Sequence, residues 1–198
     1  LIVDVCAAAA EIEAGRVVAY PTETVYGLGA DAWSAGALER LRTLKGRGDD
    51  KGMSVLVADL DALLAWEPRI PARARALACR FWPGPLTLVV PVGSPAFGEV
   101  ATPRGVGFRC SSHPTAAALA RASRRPVVST SANRSGEPPC LCADEVASAF
   151  GDALPIAGGE PAGGLLPSTV VAVDRSDRLD LLREGALAFS RILEEVEQ

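Results

Sequence analysis

Four polar stretches hold the residues best suited to chemistry, and each follows an apolar run. The first is Tyr20-Pro21-Thr22-Glu23-Thr24-Val25-Tyr26-Gly27-Leu28-Gly29, which contains both tyrosines of the chain. Its threonine hydroxyls can donate and accept hydrogen bonds, and its glycines let a backbone approach a ligand. The second, Lys45-Gly46-Arg47, alternates cations around a glycine and can grip phosphate. The third, Ser129-Thr130-Ser131-Ala132-Asn133 with Ser135-Gly136, offers short polar side chains for a carboxylate, phosphate or ribose. Ser129 and Ser131 share a face if the strand before them continues. The fourth is Pro167-Ser168-Thr169, with Arg183-Glu184-Gly185 further on. Arg109, followed by Cys110, Ser111 and Ser112, is a candidate carboxylate clamp at a strand end. Each has an ordinary alternative: a local turn, a solvated basic loop, a serine-rich bend or a surface ion pair.

These groups need a scaffold, and the hydrophobic pattern supplies one. Helical patterns are predicted over 5–14, 35–44, 59–66, 71–82, 115–123, 143–150 and 187–195. Asp59 is placed to cap one helix, Pro114 to open another, and Asp144 and Glu145 to sit in a first turn. Strands are predicted over 16–20, 54–58, 86–92, 106–110, 126–129, 169–174 and 179–183. Residues 45–52 read as a charged loop, which places Lys45 in solvent. The alternation defines one mixed α/β domain over 1–198, with ligands expected beyond the carboxyl ends of strands. Strand order is left open.

Several chemistries are set aside. His113 is the only histidine and stands before Pro114 at a helix start, where capping or packing suits it better than a catalytic triad or metal site. No glycine-rich loop ends in Gly-Lys-Ser/Thr, and Gly27-Leu28-Gly29 lacks the third glycine of a dinucleotide fingerprint. The 198 residues are 48% hydrophobic and 22% charged, with a formal net charge of -4. This is a globular composition without a global basic bias toward nucleic acid. Five cysteines without two-residue spacing read as free thiols in a reducing cytoplasm. No apolar run has membrane-span length, and no secretory signal is expected. Lys45 and Lys51 are the only lysines among twenty basic residues, and both fall in one short stretch.

Taken in order, these stretches resemble the YrdC-like family of L-threonylcarbamoyladenylate synthases, in its short, single-domain form. The likeness runs from about Gly15 to Gly185 and includes Pro83-Gly84-Pro85-Leu86-Thr87. It implies a twisted mixed sheet with flanking helices around a concave cavity. It also implies that L-threonine, bicarbonate and ATP give threonylcarbamoyl-AMP and pyrophosphate. Separate transferase proteins would then modify tRNA. The resemblance implies that Lys45 and Arg47 are the catalytic cations on the ATP phosphates, with Mg²⁺ bridging. It implies that Ser131, Asn133 and Arg183 also serve ATP. Thr22, Arg109, Ser129 and Ser168 would hold threonine, Arg109 through the carboxylate. The run Gly48-Asp49-Asp50-Lys51-Gly52-Met53 departs from the family pattern, which places Pro after Lys-x-Arg and Pro-Leu soon afterwards. The rival reading is a non-catalytic RNA-binding module of the same family, its basic rim made by Arg121, Arg124 and Arg125.

Overall fold

The computed structural model describes residues 1–46, 53–159, 163–164 and 166–196. Local sequence explains where most elements begin and end. Helix α1 (Val5–Glu13) starts where the Asp4 carboxylate accepts from Ala7 N–H at 2.8 Å. Helix α2 (Ala35–Lys45) is capped by Ser34 and stopped by Gly46 at φ 60°, a left-handed conformation that favours glycine. Asp59 caps α3 (Leu60–Trp66) as expected. Helix α4 (Ala72–Phe81) follows Pro71. His113 caps α5 (Pro114–Ala122), its Nδ1 accepting from Thr115 N–H at 3.2 Å. Helix α6 (Ala143–Phe150) carries Asp144 and Glu145 in its first turn, and α7 (Phe189–Val196) follows the last strand.

The strands are β1 (Ile2–Val3), β2 (Val18–Tyr20), β3 (Gly27–Asp31), β4 (Ser54–Leu56), β5 (Leu86–Val90), β6 (Val106–Arg109), β7 (Val127–Ser131), β8 (Ile156–Ala157), β9 (Thr169–Val173) and β10 (Leu179–Arg183). Among the described residues they form one sheet in the order β1-β8-β2-β3-β7-β4-β6-β5-β9-β10. The sheet is mixed: β4 pairs parallel with β6 and β5 with β9, whereas β7 runs antiparallel to both β3 and β4. The expected α/β class is therefore observed. Strands β1, β3 and β8 were not anticipated, and a 3-10 turn (Pro95–Val100) occupies part of the expected loop after β5.

Side chains alternate between the two faces of the sheet. One face is packed solid: Leu28, Val55, Leu86, Leu88, Val90, Phe108 and Val171 join Leu38 and Leu41 of α2 and Leu77 of α4. The opposite face is only partly covered. There Val18, Tyr20, Leu56 and Val127 pack against Ala8 and Ile12 of α1 and Ala116 and Leu119 of α5. The rest of that face is hollow.

Candidate active site

The hollow is a cavity of about 450 Å³, within the range usual for small-molecule sites. Its floor consists of the strand positions that alternate with the packed core. Thr87 and Val89 of β5 face it between Leu86, Leu88 and Val90; Gly107 and Arg109 of β6 flank Phe108. Register aligns these residues. Gly29, Ser129, Ser54 and Gly107 stand in one row across β3, β7, β4 and β6. Leu56, Arg109, Thr87 and Val170 stand in the next. The site thus lies across a sheet face rather than beyond a common set of carboxyl ends. In a mixed sheet those ends do not share one edge.

Arg109 is the last residue of β6 and is almost wholly buried. Its Nη2 donates to Thr24 Oγ1 at 2.7 Å and lies 3.0 Å from Glu23 Oε1. The second oxygen of Glu23 accepts a close hydrogen bond from Ser111. The Nη2 contact with Glu23 is an ion pair by distance without hydrogen-bond alignment, which leaves Glu23 Oε1 buried without a hydrogen-bond partner among the described residues; Arg109 Nε, which takes no part in that contact, has none either. Thr24 passes the chain onward. Thr22 Oγ1 donates its one proton to Val25 O at 2.6 Å, so the 2.9 Å contact between the two threonines has Thr24 as donor. The result is a directional series from Arg109 through Thr24 and Thr22 to the Val25 carbonyl. Thr22 lines the cavity, yet its hydroxyl has no proton left for a ligand.

Lys45 departs from the sequence expectation. It is the last residue of α2, only 4% exposed, rather than part of a solvated loop. The helix is one residue longer than expected because Gly46, not Lys45, takes the capping conformation. The Lys45 ammonium donates to the carbonyls of Ser131 and Asn133 and to Asn133 Oδ1. Ser131 Oγ donates to the same Asn133 oxygen at 2.5 Å, and Asn133 Nδ2 closes the turn on the carbonyls of Arg134 and Glu137. At the far end of the cavity, Arg183 donates to the carbonyl of Ser168 from Nε at 3.2 Å and Nη2 at 2.8 Å. Ser168 Oγ also meets Thr87 Oγ1 at 2.9 Å. Burial, followed by the like charge of Arg109, lowers the Arg183 pKa from its ordinary value. A bound anion would relieve the second cause.

Thr22, Lys45, Arg109, Ser129, Ser131, Asn133, Ser168 and Arg183 all line this one cavity. Arg47 lies outside the described residues. Sequence reasoning missed Thr87, which lines the cavity as the one hydroxyl within the apolar run of β5, a signal that was available. It also missed Glu23 and Thr24 as the setting of Arg109, because partners some 85 residues apart carry no local pattern. Arg121, Arg124 and Arg125 do not line the cavity; Arg124 and Arg125 precede β7, whose other end carries Ser129 and Ser131, and Arg125 lies over the Trp33 ring.

The described lining contains three basic side chains and no acidic one. Among the described residues no group of three His, Cys, Asp or Glu side chains is placed to hold a metal ion. No helix among them is long and apolar enough to cross a membrane.

A sheet face hollowed in this way, lined by cations and hydroxyls, makes this an α/β protein with a cavity whose chemistry suits a small anionic ligand. Comparison with known proteins gives the family. A family model for Sua5/YciO/YrdC proteins, described as Telomere recombination, matches residues 10–185, and the chain belongs to that family. A threonylcarbamoyl-AMP synthase of Chromohalobacter salexigens is 40% identical over 167 residues, covering 82% of this chain and 89% of that protein. One from Escherichia coli O1:K1 / APEC is 41% identical over 164 residues, covering 78% and 83%. The structure of P. abyssi Sua5 complexed with L-threonine superposes with a TM-score of 0.86 at 36% identity, covering 99% of this chain. This chain spans 61% of that longer protein.

Proposed function

We propose that this chain is a threonylcarbamoyl-AMP synthase, which condenses L-threonine, bicarbonate and ATP to threonylcarbamoyl-AMP and pyrophosphate. The observation that carries the reading is the convergence of Thr22, Lys45, Arg109, Ser129, Ser131, Asn133, Ser168 and Arg183 on one cavity. The names of its relatives and the L-threonine in the P. abyssi Sua5 structure support it.

The chemistry asks for positioning and charge rather than a protein nucleophile. The threonine amine and bicarbonate give a carbamate and water. A carbamate oxygen then attacks the α-phosphorus of ATP, the bond to the β-phosphate oxygen breaks, and pyrophosphate leaves. Groups that hold both partners in line and balance developing negative charge supply most of such an acceleration. In this reading Arg109 takes the threonine carboxylate, with Ser129 and Ser168 beside it and Thr22 in the wall. Lys45, Ser131, Asn133 and Arg183 serve the nucleotide, together with Arg47. Mg²⁺ would enter as part of the Mg²⁺·ATP substrate and would supply charge neutralisation on the phosphates. The adenylate passes to cytoplasmic transferase proteins that modify tRNA, with weak tRNA contact at most on this chain.

The test is pyrophosphate release from Mg²⁺·ATP in the presence of bicarbonate and each of several amino acids, with mass detection of the nucleotide product. Threonine- and bicarbonate-dependent release with the mass of threonylcarbamoyl-AMP is expected. A folded protein that binds RNA in a salt-dependent way, and releases no pyrophosphate, would establish the binding-module alternative instead.

A further inference from the structure

Tyr20 lies outside every role assigned so far. It is fully buried on the hollow side of the sheet, packed with α1 and α5. Its hydroxyl donates to Ser129 Oγ at 2.7 Å. No other acceptor for the phenol proton exists among the described residues. The direction of this bond has a consequence for Ser129. A serine hydroxyl has one proton to give and two lone pairs with which to accept. Tyr20 occupies the accepting side, and the Ser129 proton has no acceptor among the described residues. Ser129 is 7% exposed and lines the cavity, so that proton is held for whatever enters.

The remaining freedom of Ser129 is already small. Its main chain pairs with Gly29 on one side and Ser54 on the other, and Ser54 Oγ donates to its carbonyl at 2.6 Å. The main chain is therefore held, and accepting from Tyr20 commits one lone pair of the Ser129 hydroxyl, so its proton must point elsewhere. The ring that delivers this bond fits because Gly27 and Gly29 have no side chains. A Cβ on Gly27 would lie 3.1 Å from the ring, and one on Gly29 would lie 2.9 Å from it. Burial pushes the Tyr20 phenol up to about 12, so it remains a donor at neutral pH.

We propose that Tyr20 is a positioning residue, which fixes the Ser129 hydroxyl as a hydrogen-bond donor to an anionic oxygen of the amino-acid substrate. This rests on Ser129 being a substrate contact, as in the proposed function.

The experiment is calorimetric titration with L-threonine, together with the threonine dependence of pyrophosphate release. Both are measured in the wild type, Tyr20→Phe, Ser129→Ala and the double variant. Losing one oriented neutral hydrogen bond corresponds to about a five- to tenfold weaker threonine dependence in Tyr20→Phe. If Tyr20 acts only through Ser129, adding Tyr20→Phe to Ser129→Ala changes nothing further. Additive losses would show a merely structural tyrosine and overturn the proposal. So would a Tyr20→Phe protein with wild-type threonine affinity beside an impaired Ser129→Ala. An unimpaired Ser129→Ala would remove the substrate contact on which the proposal rests, whereas absent pyrophosphate release with intact threonine binding would strike the proposed reaction alone. Should Tyr20→Phe fail to fold, fluorotyrosine incorporated in a Tyr26→Phe background keeps the ring and strengthens the donor. Tighter threonine binding than in unsubstituted Tyr26→Phe is then expected, and an unchanged affinity overturns the proposal.

Discussion

The ammonium of Lys45 donates to the main-chain carbonyl of Asn133 at 3.0 Å and to the side-chain oxygen of the same residue at 3.3 Å. The main chain returns the contact, since Ser135 N–H donates to the Lys45 carbonyl at 2.9 Å. The end of α2 and the turn after β7 are therefore one structural unit. Lys45→Ala should cost stability as well as activity, because it leaves buried carbonyls without a charged donor. A loss of about 1–3 kcal/mol in chemical denaturation is expected. Lys45→Arg should not restore function, since a planar fork cannot replace a compact ammonium among three converging oxygens. A fully stable Lys45→Ala protein would show that the turn holds itself.

Thr24→Val keeps shape and removes the hydroxyl on which Arg109 rests. The guanidinium loses an aligned acceptor, and Thr22 loses a donor. The expected result is destabilisation of about 1–3 kcal/mol with a weaker response to threonine. Thermal denaturation with and without L-threonine reads both. Equal ligand-induced shifts in variant and wild type would count against the hydrogen-bond series as the setting of Arg109.

Gly29→Ala places a methyl 2.9 Å from both the Tyr20 ring and Val127 Cγ1. Neither neighbour is a flexible chain end, so overpacking should cost about 1–3 kcal/mol. The displaced ring should also move its hydroxyl away from Ser129. A crystal structure of the variant with the Tyr20–Ser129 bond intact would contradict this.

Alkaline pH should weaken the fold in a defined window. Burial raises Tyr20 from an ordinary 10.0 to about 12 and Cys110 from 9.0 to about 11. Both groups are neutral when protonated, and their pKa values are higher folded than unfolded. Their contribution is therefore complete below about pH 9 and is lost as pH rises towards 12. Denaturation midpoints should fall across this range, and Tyr20→Phe should flatten the upper part of the fall. A midpoint independent of pH from 9 to 12 would refute this assignment.

Helix ends were readable where a side chain or glycine caps locally. Asp59, His113 and the acidic first turn of α6 all behave as their neighbours in the chain dictate. Strand β3 was not readable, because Gly-Leu-Gly-Ala-Asp lacks the β-branched and aromatic residues that favour strands. Its glycines looked like an opening for a ligand's approach. Gly27 does line the cavity, but both glycines also make room for Tyr20. The burial of Lys45 was hidden for a related reason. A charged residue closing an amphipathic stripe reads as surface, and the carbonyls that accept from it lie more than 80 residues away. The polar stretches that line the cavity stood out by their grouping after apolar runs, and the resemblance supplied their expected roles, whereas their order across the sheet depended on pairings such as β3 with β7 that no local pattern encodes.

Because core and cavity residues alternate along the same strands, each strand carries two messages written in turn. One is addressed to the packed side, where Leu88 and Phe108 must keep their volume; the other is addressed to the open side, where Val89 and Gly107 line the cavity. A lineage can rewrite the second message one residue at a time while leaving the first intact. Substrate preference can therefore drift on this scaffold without a rebuilt interior. A one-residue insertion within a strand would scramble both messages at once, so length changes in descendants should accumulate in the connections between strands.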